Sequence, residues 1–88
     1  MLYRADPPGA LLHEPLDAFT AVFHRPSGTT HLLASPAAEI LAVLGREALS
    51  VNMLLERLER EYELVDADHQ ALMVRVQELV DAGLVQAA

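Results

Sequence analysis

The hydrophobic period of the chain changes at Ser35, and this change fixes the order of its secondary structure. Residues 11 to 34 show no helical period and are rich in β-branched and aromatic residues, as in the run 19–24. From residue 36 onward, apolar residues recur at helical spacing, clearest in the run 51–62. The sequence therefore predicts a β-sheet followed by helices.

A tight turn is expected at Arg25-Pro26-Ser27-Gly28. Proline presets φ for the second turn position, and Gly28 can take the positive φ that closes a bulged hairpin. The turn therefore joins two strands of one hairpin. Strands are expected at Leu11-Leu12, at Phe19 to His24 and at Thr29 to Leu33.

Three helices with recognisable ends follow. Ser35, Ser50 and either Asp66 or Asp68 are expected to cap them, because short polar side chains satisfy the first free N–H groups of a helix. Gly45 and Gly83 are the expected stops. The predicted helices run from Pro36 to Leu44, from Val51 to about Tyr62, and from Asp66 or Asp68 to Ala82, before a short extended tail at Leu84-Val85.

The predicted fold class is α+β, as one winged-helix-like domain over residues 1–88. An N-terminal three-stranded antiparallel sheet precedes three helices that supply most of the core. Residues 1–10 contain Pro7-Pro8-Gly9 and no periodicity, and they are expected to form a loose N-terminal arm.

The composition excludes several classes of function. Six basic residues, all arginine, stand against 13 acidic ones, and the resulting net charge of -7 disfavours nucleic acids and anionic membranes as partners. The chain has no cysteine and no lysine, which removes thiolate, Schiff-base and Walker-type chemistry. No apolar run approaches the ~20 residues of a membrane span, and no signal-peptide pattern begins the chain, so the cytoplasm is the expected location.

The four histidines are the strongest candidates for catalysis or metal binding. His13, His24, His31 and His69 show no H-x-x-x-H or H-x-x-E-H spacing. If Arg25 lies opposite Thr29 across the turn, His24 and His31 point to opposite faces of the hairpin and cannot share one ion. We therefore expect no catalytic residues, no metal and no cofactor, and a protein that is not an enzyme.

DNA binding is disfavoured by the charge of the helices. The third helix carries Arg75 as its only basic residue, beside Asp68, Glu78 and Asp81. A recognition helix instead needs several basic side chains for phosphates and base edges. Winged-helix DNA binding is kept as the weaker alternative.

Binding of a peptide or protein remains, because a three-stranded sheet has two open edges that can each accept another strand. The segment Thr29 to Leu33 supplies such an edge, and His69, Met73 and Val76 of the third helix supply a candidate pocket beside it. Met73 and Val76 can equally be ordinary core residues. An open edge also leaves a strand-paired homodimer as an alternative.

Two stretches carry a resemblance to a known family. They are Phe23-His24-Arg25-Pro26-Ser27-Gly28-Thr29-Thr30-His31-Leu32-Leu33 and Ser35-Pro36-Ala37-Ala38-Glu39-Ile40-Leu41. Together with the two later helices they resemble the PqqD family, and most closely its subgroup named for a system built around an HPr-kinase-related protein. The resemblance covers nearly the whole chain after about residue 11, and the P-S-G-x-T-H-L-L block is its specific part.

The resemblance implies a peptide chaperone, or precursor-peptide recognition element, that acts in the biosynthesis of ribosomal peptides. Members of the family bind a leader peptide as an extra strand between the third strand and the third helix and present it to a modifying enzyme. Carried over by position, the peptide-binding groove consists of Thr29, Thr30, His31, Leu32 and Leu33 on one wall and His69, Met73, Val76 and Gln77 on the other. The implied partners are a precursor peptide and a peptide-modifying enzyme or HPr-kinase-like protein.

A second function stays open beside the one that the resemblance implies. The acidic surface of the second helix can make the chain a scaffold that docks a kinase-like partner, with no peptide groove in use. That hypothesis predicts that charge reversal at Glu56 or Glu59 matters and that changes in the groove do not.

Overall fold

The computed structural model of the chain describes residues 1–62 and 68–87. It is an α+β structure with a three-stranded antiparallel sheet and three helices, which confirms the predicted fold class at that level. The strand-then-helix order is only partly matched, because one more strand lies at each end of the chain. In chain order the elements are β1 (Tyr3–Ala5), a 3-10 turn (Pro8–Ala10), β2 (Leu11–Leu16), β3 (Phe19–His24), β4 (Thr29–Ala34), α1 (Ala37–Leu44), α2 (Val51–Tyr62), α3 (His69–Asp81) and β5 (Val85–Ala87).

The main sheet has the order β2-β3-β4, so β3 is central and the other two strands form its edges. The predicted turn after β3 is confirmed: the Gly28 N–H donates to the His24 carbonyl at 2.8 Å, and Gly28 has a φ of 71°. The register places His24 opposite Thr29 and not Arg25 opposite Thr29. The loop thus holds four residues, one residue more than the assumed register allowed.

This register decides which side chains face the helices. Since side chains of directly opposed residues lie on one face of a sheet, Leu11, His24 and Thr29 share a face, as do His13, Val22 and His31. Val22 is fully buried there, and Leu33 of the same face packs against the core. We call this the inner face, and the opposite side of the sheet the outer face.

The helices pack on the inner face around α1. Every large apolar side chain of α1 is buried, and α1 contacts α2, α3, β1 and β4. The other two helices add one apolar stripe each, as their helical spacing predicts. The stripes are Val51, Leu54 and Leu58 on α2, and Leu72, Val76 and Leu79 on α3.

The predicted caps hold for two helices and fail for the first. The Met53 N–H donates to Ser50 Oγ at 3.3 Å, and the Gln70 N–H donates to Asp68 Oδ1 at 3.3 Å. Asp66, the alternative opening residue of the third helix, lies outside the described residues. Ser35 does not cap α1, which begins at Ala37 after Pro36; its hydroxyl donates instead to the carboxylate of Glu39.

The end of α3 carries a complete Schellman motif. Gly83 has a φ of 80°, its N–H donates to the Val80 carbonyl at 3.0 Å, and the Leu84 N–H donates to the Leu79 carbonyl at 2.9 Å. This arrangement satisfies free carbonyls of the last turn and buries Leu84 in the core. The chain then continues directly into β5.

The predicted loose arm over residues 1–10 is wrong for its central part. Residues Tyr3 to Ala5 form β1, which pairs antiparallel with β5, and Tyr3 also exchanges two backbone hydrogen bonds with Leu49 at 2.8 and 3.0 Å. The N–H and carbonyl groups of the first strand thus find partners at the far end of the chain and before α2. Such long-range pairing leaves no mark in a three-residue pattern.

No helix among the described residues is both long and apolar enough to cross a lipid bilayer.

Replacing Tyr3 with proline tests the terminal ribbon. The change removes the N–H that donates to Leu49, so we expect the free energy of unfolding to fall by about 1–3 kcal/mol. Tyr3→Phe, which keeps that N–H and the ring, should leave stability nearly unchanged. Urea unfolding followed by circular dichroism measures both, and an unchanged midpoint for Tyr3→Pro would contradict the pairing.

A second substitution tests the turn that sets the sheet register. Gly28→Ala places a Cβ on a residue with φ of 71°, and we expect a cost of about 1–2 kcal/mol because left-handed backbone is unfavourable for L-residues. The matched control is Gly9→Ala, where a Cβ also meets open space but φ is not in that region. Equal unfolding midpoints for the two variants would show that the turn is not strained by a side chain.

Candidate functional site

The two edges of the main sheet differ in their ability to accept another strand. The edge strand β2 contains Pro15, which has no backbone N–H to donate and interrupts a hydrogen-bonded ladder. The other edge strand, β4, has the sequence TTHLLA and contains no proline. An added strand therefore finds the more regular backbone at β4.

A cleft of about 230 Å³ lies between the end of β4 and the last turns of α3. Its floor is apolar: Leu79 is 3% exposed, and Leu33 is half-buried against the core. The cleft is small for a whole ligand but is matched to one or two side chains of an extended peptide. It is lined by Leu32, Leu33, Ala34, Ser35, Ala37, Arg75, Glu78, Leu79 and Ala82.

The charges at the rim of the cleft compensate each other. Arg75 Nη1 lies 2.9 Å from Glu78 Oε1, and both side chains are more than half exposed. An exposed i,i+3 pair of this kind contributes little to stability and can be rearranged by a ligand. Affinity in the cleft would thus come from backbone hydrogen bonds and apolar contact, with Arg75 free to turn toward an acidic group.

The predicted strand wall of the groove is partly present in this cleft. Leu32 and Leu33 line it, whereas Thr29, Thr30 and His31 lie nearer the hairpin turn on the same strand. On this wall, the residues that sequence reasoning missed are Ala34, Ser35 and Ala37, which directly follow Leu33 along the chain. The signal available in the sequence was that this segment continues β4 into α1.

The predicted helix wall of the groove is not where the cleft lies. Val76 is 1% exposed and belongs to the core, which is the alternative kept open for it. Met73 and Gln77 are exposed on one flank of that core stripe, and the Gln77 amide donates to Asp81 at 3.1 Å. His69 is exposed in the first turn of α3 and does not line the cleft either.

The predicted helix residues do not line the cleft because of how α3 is rotated about its own axis. At 100° per residue, Arg75, Glu78 and Ala82 fall on one side of the core stripe, and Met73 and Gln77 fall on the other. The first flank faces β4 and lines the cleft. The adaptable side chain of Met73 predicts a pocket residue, but α3 lines the cleft with the three residues of the other flank and with the core residue Leu79.

His24 and His31 lie on the same face of the hairpin, which corrects the prediction that they point apart. The cause is the one-residue difference in register, since such a slip moves every side chain of a strand to the other face. The two rings are joined by hydroxyl groups: His24 Nδ1 to Ser27 Oγ at 2.7 Å, Ser27 Oγ to Thr29 Oγ1 at 2.7 Å, and Thr29 Oγ1 to His31 Nε2 at 3.2 Å.

The other ring nitrogen of His24 contacts the N-terminal segment. His24 Nε2 lies 2.5 Å from Asp6 Oδ2, and both side chains are largely shielded from solvent. Because an ionised carboxylate only accepts hydrogen bonds, His24 Nε2 carries the proton in the contact with Asp6 and donates it. The chain of hydrogen bonds ties the segment after β1 to the hairpin.

The order carboxylate, imidazole, hydroxyl is also that of a nucleophilic triad, but its surroundings favour a structural role. Ser27 and His24 line neither the β4–α3 cleft nor the two cavities beside Asp6. The Ser27 hydroxyl is held by Thr29 as well as by His24. Among residues 1–62 and 68–87, no three histidine or acidic side chains come together as a metal site.

Two acidic residues on or beside α2 are paired with arginines. Arg57 lies 3.0 Å from Glu47 and 3.8 Å from Glu61, and Arg46 lies 3.0 Å from Glu61. The hydrogen bond from Arg46 to Glu61, and the negative charge of Glu61, raise the pKa of Arg46 above its usual value. Glu56 and Glu59 remain exposed on the helix.

Replacing Asp6 with alanine tests the tie between the N-terminal segment and the hairpin. Loss of the partly buried hydrogen bond to His24 should lower the free energy of unfolding by about 1 kcal/mol. Glu59→Ala, which removes an exposed carboxylate, is the matched control. Equal urea midpoints for the two variants would show that the contact contributes nothing.

Comparison with known proteins gives no match for this chain. No family model, no curated protein and no solved structure is similar to it. Its function is therefore inferred from the cleft and the open strand beside it.

Proposed function

We propose that this chain is a non-catalytic peptide-binding chaperone of the PqqD kind, with a winged-helix-like arrangement. It captures a precursor or leader peptide as an added strand on β4 and presents the peptide to a modifying enzyme. The observation that carries the proposal is the proline-free edge of β4 beside an apolar cleft formed with α3. An edge strand next to a helix offers a peptide both a hydrogen-bonding template and a place for side chains.

The cleft matches the requirements of strand addition. Backbone groups of β4 that do not pair with β3 supply affinity without regard to the sequence of the peptide. Alternate side chains of an added strand point to the same side, so one in two would enter the space between Leu33 and Leu79. Specificity would then come from the fit of small or aliphatic side chains in that space.

The alternatives draw less support from the described residues. DNA binding needs several cations on one helix, but Arg75 is the only arginine or lysine of α3 and shares that helix with Glu78 and Asp81. Docking of a kinase-like partner through α2 retains the exposed Glu56 and Glu59, although two neighbouring acidic residues are already paired with arginines. Neither Glu56 nor Glu59 lines the β4–α3 cleft or the two cavities beside Asp6.

Substituting the cleft wall tests the proposal. Ala82 is exposed at the end of α3, and Ala82→Arg projects a long side chain into the cleft, where a cation at a helix C-terminus is tolerated. The control is Met73→Arg, the same new side chain on the opposite flank of α3. The probes are synthetic peptides that tile the short open reading frames beside the gene of this protein.

Amide chemical-shift titration of the labelled protein gives the readout. We expect shifts in residues 32–37 and 75–82. The dissociation constant of the peptide should be at least ~10-fold higher for Ala82→Arg and unchanged for Met73→Arg. Equal binding by the two variants would refute the cleft. Shifts confined to Glu56, Glu59 and their neighbours on α2 would instead support the docking scaffold.

A further inference from the structure

The outer face of the main sheet is an exposed apolar surface. Its nine side chains include five large apolar ones, and Leu32, at 66% exposure, is the most open of these. Directly opposed residues form three rows across the strands. The rows are Leu12, Phe23 and Thr30; Glu14, Ala21 and Leu32; and Leu16, Phe19 and Ala34.

The strands carry apolar residues on both faces of the sheet, and the outer face holds more large apolar side chains than the inner face, which includes three histidines and two threonines. In an antiparallel sheet with one solvent-exposed face, apolar and polar residues alternate along each strand. In a sheet that is buried on both faces, the strand sequences are nearly continuous apolar runs. In this chain the inward Val22 has Ala21 and Phe23 as neighbours, and the inward Leu33 follows Leu32. The described helices, however, cover only the inner face.

We infer that a second copy of this chain covers the outer face, so that two sheets pack face to face in a homodimer. The charge of the face favours this occupant. Glu14 is its only ionisable residue, so the net charge of -7 lies almost entirely elsewhere on the molecule. Depletion of charge and enrichment in phenylalanine and leucine are typical of homodimer interfaces, whereas transient interfaces with other proteins are as polar as ordinary surface.

The available area is sufficient for two copies. The five large apolar side chains expose roughly 500 Å² per copy, and with their smaller neighbours two faces would bury about 1,200–1,500 Å², at the lower end of the range for stable interfaces. Facing sheets pack about 10 Å apart with strands inclined by roughly 30°. Ala21 leaves a shallow space between Phe19 and Phe23 into which a side chain of the second copy can fit.

The homodimer and the proposed peptide site use largely different surfaces. Leu12, Phe23 and Leu16 do not line the β4–α3 cleft, and the outer-face residues that border it are Leu32 and Ala34. Face-to-face packing also uses no backbone group at the edge of β4. A substitution at Leu12 therefore separates the two proposals.

Sedimentation equilibrium across about 1 µM to 1 mM protein tests the homodimer. We expect reversible dimerisation, weakened at least ~10-fold by Leu12→Glu, because a buried carboxylate on an apolar face is costly. The control is Val74→Glu on α3, with the same new charge and nearly the same exposure as Leu12, at 54% against 53%. Glu14→Gln should strengthen the dimer by removing the only charge of the face.

Two results would overturn the inference: a monomer at every concentration, or equal weakening by Leu12→Glu and Val74→Glu. Circular dichroism of each variant establishes that the fold is intact, which the exposure of both positions leads us to expect. Peptide titration of the Leu12→Glu monomer then reports on the cleft alone. Retained peptide binding with lost dimerisation separates the two sites, and complete loss of peptide binding by this variant would contradict that separation.

Discussion

The four-residue loop from Arg25 to Gly28 is the constraint on which the rest of the molecule depends. By placing His24 opposite Thr29, it decides which side chains of β3 and β4 meet α1 and which meet the outside. A register shifted by one residue would place Val22 opposite Leu32 and Phe23 opposite His31, so either β3 or β4 would turn its other face toward the helices. The positive φ of Gly28 is therefore a local requirement with consequences for both faces of the sheet.

Much of the fold could be predicted because its signals are local. Helical spacing and the capping residues Ser50 and Asp68 identify α2 and α3 within one or two residues, and Gly28 identifies the hairpin. The extended tail was predicted at Leu84-Val85, where β5 begins, but β1 and its pairing with β5 were not, because three residues are too few for a period and the two strands lie at opposite ends of the chain. The number of residues in the loop between β3 and β4 could not be predicted either, because the turn pattern shows where the turn occurs and not which residues pair across it.

The candidate site was predictable on its strand side and not on its helix side. The edge of β4 follows from the order of the strands, but the groove-facing flank of α3 depends on how that helix is rotated over β4 and α1. The core stripe is evident from Leu72, Val76 and Leu79, and either flank of it could face the cleft. Sequence reasoning chose the flank with Met73 because that side chain is adaptable and because the family resemblance implies that position, whereas the flank that lines the cleft carries Arg75, Glu78 and Ala82.

The strand β4 belongs to both surfaces for which we propose partners, and its geometry makes them compatible. A strand added beside β4 would lengthen each row of the outer face by one residue, because every second side chain of that strand points outward. An apolar outward residue would lie next to Leu32 and enlarge the area that a second copy can cover. A charged outward residue would instead place an ion at the rim of the same face, so the composition of the peptide would set the sign of the coupling between peptide binding and dimerisation.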